Sequence, residues 1–344
     1  MSDVHQLADR RVTIRLNPAD NVAVCTRPLK AGETGDEVTA RNDVPRGHKI
    51  ALTDIAPGEP VRKYAQVIGY ASTAIAKGDH VHLHNLEFRA SSQDHAYCAE
   101  RRETDLLPKE ARATFEGYVR SDGRVGTRNF IAVITSVNCS ATAGRLIAEH
   151  FSERELAGYK NVDGVAAFVH GTGCAMAANS EGFDNLQRVM WGYARNPNCA
   201  GVLMVGLGCE SNQIDFLLDI YGIERGALFR TMNIQNMGGL KRTVDASIKI
   251  VEEMLPHANE IARQTCDASH LMLALQCGGS DAWSGVTANP ALGYAADLLI
   301  RNGGTAVLAE TPEIYGAEHL LTSRARDEAT AEELMQRIKW WENY

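Results

Sequence analysis

The sequence lacks the features of a membrane-spanning or secreted protein. Its longest apolar stretches, such as residues 130–137, are far shorter than the roughly 18 residues that a transmembrane helix needs. The amino-terminal residues, MSDVHQLADRR, contain no apolar core of the kind that a secretory signal peptide has. We therefore expect a cytoplasmic protein with no membrane partner.

Positive charge is also scarce. The chain has 35 Lys and Arg against 43 Asp and Glu, which gives a formal net charge of −8. A surface of that sign repels phosphate groups, so nucleic acid is not an expected partner. Disulfides are not expected either, because the eight cysteines of a protein in a reducing compartment are thiols or metal ligands.

The composition is that of a globular protein with more than one domain. The 344 residues are 44% hydrophobic and 23% charged, and a prior of roughly 150 residues per domain gives two or three domains. Residues 13–87 contain short apolar segments separated by Gly and Pro turns, which predicts a small all-β domain over residues 1–87. Its predicted strands are 12–16, 21–26, 48–55, 61–70 and 80–84. Charged residues dominate 88–113, which predicts a linker.

Residues 114–344 have a different pattern, in which continuous apolar strands alternate with amphipathic helices. The predicted strands are 130–137, 162–169, 200–205, 228–234, 271–276 and 305–309, and the predicted helices are 141–156, 181–195, 213–220, 240–263, 290–302 and 328–341. This alternation is typical of a parallel sheet with helices on both faces. The fold class is therefore α/β: a small N-terminal all-β domain, then a mainly parallel α/β sheet region with room for two subdomains.

Four cysteines each follow a predicted strand of the α/β region. Cys139, Cys174, Cys209 and Cys277 lie in loops rich in small residues. The carboxyl ends of parallel strands form the ligand-binding crevice of such a sheet, so these thiols are expected at one edge. The alternative is that each cysteine simply fills space in the core as a small hydrophobic residue.

Histidines are concentrated in the β-domain. His80, His82 and His84 alternate along one predicted strand, so all three are expected on one face, where imidazole is a common metal ligand. His48 and Lys49 follow a tight turn and form a plausible acid–base pair. The alternative for both groups is a solvated surface.

The glycine-rich loops argue against a nucleotide cofactor. The Gly-x-Gly turns at 171–173 and 206–208 lack the third glycine of a dinucleotide-binding turn, because Met176 and Ser211 occupy its place. Asn289 and Pro290 predict a helix start, with Asn289 as the N-cap, that directs backbone N–H groups toward a carboxylate.

Long sequence blocks match one known family. RGHKIALTDI at 46–55, IGYA at 68–71 and GDHVHLHN at 78–85 resemble the SAF (β-clip) domain of altronate dehydratases. GRVGTRN at 123–129, GLGCE at 206–210, CGGSD at 277–281 and GVTANP at 285–290 resemble the large region of the altronate/galactarate dehydratase family. HLHN at 82–85 and ETPEIYGAE at 310–318 are more similar to the altronate branch. Family members continue past residue 344, so the resemblance implies a chain that is truncated relative to the family.

The resemblance implies a hydro-lyase that converts D-altronate to 2-keto-3-deoxy-D-gluconate, with Fe²⁺ or alternatively Mn²⁺ as the metal. The reaction needs a base for the C2 proton and an acid for the C3 hydroxyl, and a divalent metal would stabilise charge on the substrate carboxylate. His48 and Lys49 are the candidates for acid and base, unassigned between them, and Asp281 is a second candidate base.

The remaining site candidates bind substrate or metal. Arg128 is expected to pair bidentately with the substrate carboxylate. The further substrate contacts are Asn129, Ser280 and Asn289. The metal ligands are either His82 and His84, or the strand-end cysteines Cys139, Cys174, Cys209 and Cys277 with Glu210, and the sequence leaves both sets open.

Three other functions stay open. The first is a lyase of the same family that acts on galactarate or sulfolactate. The second is an iron–sulfur dehydratase whose cluster three of the four thiolates hold, although no compact cluster motif is present. The third is a catalytically silent sugar-acid-binding protein. In each case the expected partner is a small sugar acid, and the expected assembly is a homodimer.

Overall fold

The computed structural model describes residues 11–89, 95–279, 281 and 283–344. The described residues divide into two compact units. The first unit draws on Met1–Asp105, Leu273–Leu298 and Ala306–Tyr344, and the second on Leu106–Met272 and Leu299–Thr305. Within the described residues, no helix is long and apolar enough to cross a membrane.

The first unit contains most of the short strands. They are β1 (Thr13–Ile14), β2 (Val22–Cys25), β3 (Lys49–Ala51), β4 (Pro60–Lys63), β5 (Gln66–Ala71), β6 (His80–Val81) and β7 (Leu86–Glu87). They form two antiparallel sheets with the strand orders β1-β2-β3-β6 and β4-β5-β7. Side chains of β2 alternate between two apolar clusters, with Ala23 and Cys25 in one and Val22 in the other. Because successive residues of a strand face opposite ways, one central strand supports two cores.

The predicted strand 61–70 is in fact a hairpin. Tyr64 and Ala65 form its two-residue turn, and both have positive φ, 58° and 59°. Positive φ at both central residues defines the turn that matches the twist of two antiparallel strands. The buried Asp20 holds this turn, since its Oδ1 accepts the Ala65 N–H at 2.7 Å.

Parts of the predicted linker and of the predicted α/β region belong to the first unit. The Cys98 N–H donates to the Thr322 carbonyl at 3.0 Å, and the Glu100 N–H donates to the Ser323 carbonyl at 2.8 Å. The unit also contains helices α6 (Ala288–Arg301, all but its last three residues), α7 (His319–Thr322) and α8 (Glu328–Asn343). Residues 90–94 of the predicted linker lie outside the described residues.

The second unit confirms the predicted α/β fold. Its strands are β8 (Thr114–Val119), β9 (Val125–Gly126), β10 (Phe130–Thr135), β11 (Gly164–Phe168), β12 (Cys199–Gly206), β13 (Phe229–Asn233) and β14 (Gln264–Asp267), and its helices are α1 (Ala141–His150), α2 (Glu153–Leu156), α3 (Glu181–Ala194), α4 (Ile214–Tyr221) and α5 (Leu240–Asn259). A parallel sheet has the order β11-β10-β12-β13, and an antiparallel sheet has the order β14-β8-β9.

Helices cover both faces of the parallel sheet. Apolar residues of α1 and α5 pack with Ile131 and Val133 of β10, and residues of α3 and α4 pack with Ala132 and Ile134 of the same strand. All four β10 residues are buried, as expected for a central parallel strand. The last two predicted strands do not join this sheet, because β15 (Met272–Leu275) and β16 (Thr305–Leu308) form a separate two-stranded sheet.

Candidate functional site

Three predicted cysteines follow neighbouring strands of the parallel sheet. Cys139 comes after the central strand β10, Cys174 after β11 and Cys209 after β12. β11 and β12 are the two hydrogen-bonded neighbours of β10, so all three loops leave the same edge of the sheet. The three cysteines are exposed. This edge therefore presents three thiols to solvent in the second unit.

Hydrogen bonds tie the three loops to one another. The Asn138 N–H, next to Cys139, donates to the Thr172 carbonyl of the β11 loop at 2.8 Å. The Ser136 hydroxyl donates to Glu210 Oε1 of the β12 loop at 2.6 Å. The loop after β10 is therefore fixed to both of its neighbours.

Glu210 organises the loop that carries Cys209. It is 4% exposed, and besides Ser136 it accepts the Leu207 N–H at 3.1 Å and the Gly208 N–H at 2.5 Å. Both carboxylate oxygens are thus occupied by donors of the protein. Glu210 is better explained as a support for the thiol loop than as the metal ligand that we predicted.

The thiols interact electrostatically. The pKa of Cys139 is raised from its ordinary value by partial desolvation, then by a hydrogen bond with the Cys174 thiol and by the charges of Cys174 and Cys209. Gln235 Nε2 donates to Cys209 Sγ at 3.2 Å. The Cys174 and Cys209 thiols therefore both act on the environment of Cys139.

The fourth predicted cysteine is not on this sheet. Cys277 is half-buried, follows β15 of the two-stranded sheet and belongs to the first unit. The prediction that four strand-end cysteines share one edge of one sheet is therefore wrong for Cys277, because its strand pairs with β16 instead.

The two predicted substrate contacts Arg128 and Asn129 lie at the opposite edge of the sheet. Both precede β10, whereas Cys139 follows it, and six strand residues at about 3.3 Å each separate the two edges. Arg128 lies 3.5 Å from Asp163 with its side chain 60% exposed. Neither residue can reach a ligand that lies among the strand-end loops.

Asn129 has no polar side-chain atom free for a substrate. It is fully buried, its Oδ1 accepts from Arg120 Nη1 at 2.7 Å, and its Nδ2 donates to the carbonyls of Asn161 and Ala258 at 2.7 and 2.9 Å. Ala258 is in the last turn of α5, where carbonyls lack helical partners. The geometry assigns Asn129 a structural role, which corrects the prediction.

Four histidine rings gather on the β-domain of the first unit. β6 is only His80–Val81 long, and the chain turns at residues 82–85. The assumption of one regular strand is therefore wrong for His82 and His84. Their rings nevertheless lie close, with centroids 4.8 Å apart for His48–His82, 5.0 Å for His48–His80 and 5.3 Å for His80–His84.

His48 and His80 form a hydrogen-bonded pair. His48 Nδ1 lies 2.9 Å from His80 Nε2, across the β3–β6 pairing. Burial, the charge of His82 and that of Lys49 lower the pKa of His48. Burial, then the charges of His48, His84, His82 and Lys49, lowers the pKa of His80 to about 4. Both rings are thus neutral at pH 7.

Lys49 lies beside this cluster, and Lys63 lies near Lys49. Burial lowers the pKa of Lys49. The pKa of Lys63, at the end of β4, is lowered by burial and by the charge of Lys49, against the opposing charge of Asp20. A partly buried pair of cations is an electrostatic setting that favours an anionic ligand.

The remaining predicted residues have local roles. Asp281 Oδ1 accepts the N–H groups of Trp283 and Ser284, both at 2.7 Å. Helix α6 begins at Ala288, so Asn289 lies inside its first turn and is exposed, which differs from the predicted N-cap. Ser280 lies outside the described residues.

Comparison with known proteins decides the family. Three sequence models match consecutive parts of the chain: "Altronate/galactarate dehydratase SAF domain" at residues 11–89, "D-galactarate dehydratase/Altronate hydrolase, second domain" at 117–259, and "D-galactarate/Altronate dehydratase, C-terminal" at 268–344. The chain is also 36% identical to the galactarate dehydratase (L-threo-forming) of Escherichia coli K12 over 351 residues, 99% of this chain and 67% of that protein. The chain belongs to the altronate/galactarate dehydratase family.

Other members of this family are similar over comparable lengths. The altronate dehydratase of Escherichia coli K12 is 37% identical over 96% of this chain and 66% of its own length, and that of Bacillus subtilis 168 is 31% identical over the same shares. The chain thus spans about two thirds of the length of these dehydratases. The histidine cluster lies in the part that matches the SAF domain, and the three-thiol edge lies in the part that matches the second domain.

The single divalent ion that the family resemblance implies does not fit the described side chains. Among them, no group of three or more His, Cys, Asp or Glu is arranged to hold a metal ion. The predicted ligands His82 and His84 belong to no such group, and in the second unit Glu210 is fully engaged with its own loop and with Ser136. Neither predicted ligand set is preassembled for one ion.

Two residues of this region, His80 and Lys63, were not among the predicted site residues. His80 was not chosen as a site residue, although its partnership with His48 follows once β3 and β6 pair. Lys63 lies at the end of β4, just before the Tyr64–Ala65 turn, and the charge of Lys49 acts on it. The histidine alternation was a usable signal for His80, whereas no local signal identified Lys63.

Proposed function

We propose that the chain catalyses loss of water from a sugar acid, namely conversion of D-altronate to 2-keto-3-deoxy-D-gluconate. The observation that supports this is the match of all three dehydratase domains, in order, over most of the chain. In this reaction the C2–H and C3–O bonds break, water leaves, and the resulting enol becomes the 2-keto product.

His48 is proposed as the base. When His48 Nδ1–H donates to His80 Nε2, the lone pair of His48 Nε2 is available to accept the C2 proton. A lowered pKa keeps the ring neutral and able to accept a proton at pH 7. His80 thus has the role of orienting the base, as the third member of many acid–base systems does.

Lys49 is proposed as the acid that protonates the departing C3 hydroxyl. It is adjacent to His48, and its burial lowers its pKa, which makes the ammonium a better proton donor than an exposed lysine. In place of Arg128, we assign binding of the substrate carboxylate to Lys63, the second cation of the pair.

An anaerobic assay of keto-acid formation tests the proposal. D-altronate, galactarate and sulfolactate are offered separately, with Fe²⁺ or Mn²⁺ added in parallel, and product is measured against a metal-free control. We expect turnover of D-altronate. Turnover of galactarate or sulfolactate instead would overturn the substrate assignment, and calorimetric binding of altronate without turnover would indicate a silent binding protein.

A further inference from the structure

We infer that Cys139, Cys174 and Cys209 together bind an iron–sulfur cluster through three thiolates. The binding itself stands on the second unit alone. Only its use in dehydration rests on the proposed function.

The fold brings these thiols together. They follow β10 and its two hydrogen-bonded neighbours at the same edge of the parallel sheet. Bonds from Asn138 to Thr172 and from Ser136 to Glu210 fix the loops to one another. The other two cysteines of this unit differ, because Cys199 is half-buried at the start of β12 and Cys266 is buried on β14. Only the strand-end thiols are exposed among the cysteines of the unit.

The three thiol ligands determine which metal ion or cluster can bind at this edge. Thiolates are soft ligands that favour iron–sulfur clusters, zinc or cuprous ions over hard divalent ions. The only carboxylate in these loops, Glu210, is occupied by Ser136 and by two backbone N–H groups. No carboxylate of these loops is therefore left free to bind a hard ion.

A cluster fits better than one ion. No set of three such donors in the described part of the chain is arranged around a single ion position. A cluster binds each thiolate to a different iron, so it calls for three thiols on loops that are tied together and not for three donors around one point. The N–H of Gln235 that reaches Cys209 Sγ at 3.2 Å is also the kind of contact that tunes cluster sulfurs.

Three protein ligands would leave one iron of a four-iron cluster without a cysteine. When bound, such a group supplies a Lewis acid for a substrate oxygen, which is the chemistry that departure of a hydroxyl requires. Each cysteine contributes by losing its thiol proton and binding one iron.

Anaerobic reconstitution with ferrous iron and sulfide tests the inference. After desalting, we expect brown visible absorption and about four irons and four acid-labile sulfides per chain. Each of Cys139→Ser, Cys174→Ser and Cys209→Ser should lower both contents at least fivefold. Cys199→Ala, in the same sheet at its opposite edge, is the matched control and should retain them. Circular dichroism of each variant confirms that it is folded.

Several results would overturn the inference. The inference would be wrong if the wild-type chain bound no sulfide or bound iron without sulfide. It would also be wrong if any folded variant of Cys139, Cys174 or Cys209 kept the cluster. Loss of the cluster in Cys277→Ser would also contradict a three-cysteine site, because it would identify a fourth ligand. A chain that holds the cluster but dehydrates no sugar acid would support this inference and contradict the proposed function, and activity without a cluster would do the reverse.

Discussion

Replacing Asn129 by leucine should destabilise the second unit without acting on a substrate site. Leucine has a similar volume and no polar atoms, so the change removes one acceptor and two donated hydrogen bonds at a position that is 0% exposed. Arg120 Nη1 and the Asn161 carbonyl then lose the Asn129 partner, whereas the Ala258 carbonyl keeps the Ile261 N–H at 3.3 Å. Each buried unsatisfied group costs about 1–3 kcal/mol.

The expected loss of unfolding free energy is about 2–4 kcal/mol, below the full sum for the two groups, because water can reach part of the half-buried Arg120 and Asn161 after the change. Urea denaturation gives the total, and hydrogen exchange of the β10 and α5 amides shows that the loss lies in this unit. Arg128→Ala is the matched control: its side chain is 60% exposed and pairs with Asp163 at 3.5 Å, so about 0–1 kcal/mol is expected. A loss below about 1 kcal/mol in Asn129→Leu, or weaker sugar-acid binding with unchanged unfolding, would refute the structural role.

Three further changes test the first unit. His48→Ala should lower turnover by a factor of about 100 or more with little change in melting temperature, and near-normal turnover would exclude it as the base. Because the folded pKa of His80 is about 4, below its ordinary 6.5, its contribution to stability is complete above pH 6.5 and is lost as the pH falls toward 4. His80→Gln should therefore reduce the pH dependence of unfolding in that window by roughly 1–2 kcal/mol after allowance for solvent screening, and an unchanged profile would contradict the assigned cause. Ala65→Gly should stabilise the chain by up to about 1 kcal/mol in thermal denaturation, because glycine relieves the positive φ, whereas destabilisation would show that the turn is unstrained.

The parallel sheet was predictable because its strands are buried on both faces. That burial requires continuous apolar runs such as β10, which stand out in any sequence, and it also places Cys139, Cys174 and Cys209 at one edge. The same strand prediction should have separated Arg128 from this edge, since a residue that precedes a parallel strand lies at the far end. Arg128 was assigned to the site because of the family sequence block in which it lies, although the direction of β10 already places it at the opposite edge.

Other features depend on contacts between distant parts of the chain. The Tyr64–Ala65 turn has neither Gly nor Asn, and its backbone is held by Asp20, 45 residues away from Ala65. No local preference predicts such a turn. Likewise, the strand pattern of β15 and β16 was correct, but the pattern does not specify which sheet a strand joins.

The discontinuity of the first unit has a consequence for biosynthesis. Its early segment ends at Asp105, and its last segment begins at Ala306. A ribosome that adds about 5–20 residues per second needs roughly ten seconds or more to make the intervening chain. By then the amino-terminal strands already have both of their apolar clusters, which lie within residues 12–86, and the second unit gains nearly all of its residues, whereas helices α7 and α8 are still to be made. The contacts of this unit that form last therefore include those of Cys98 and Glu100 with Thr322 and Ser323, and not the core of the strands that emerge first.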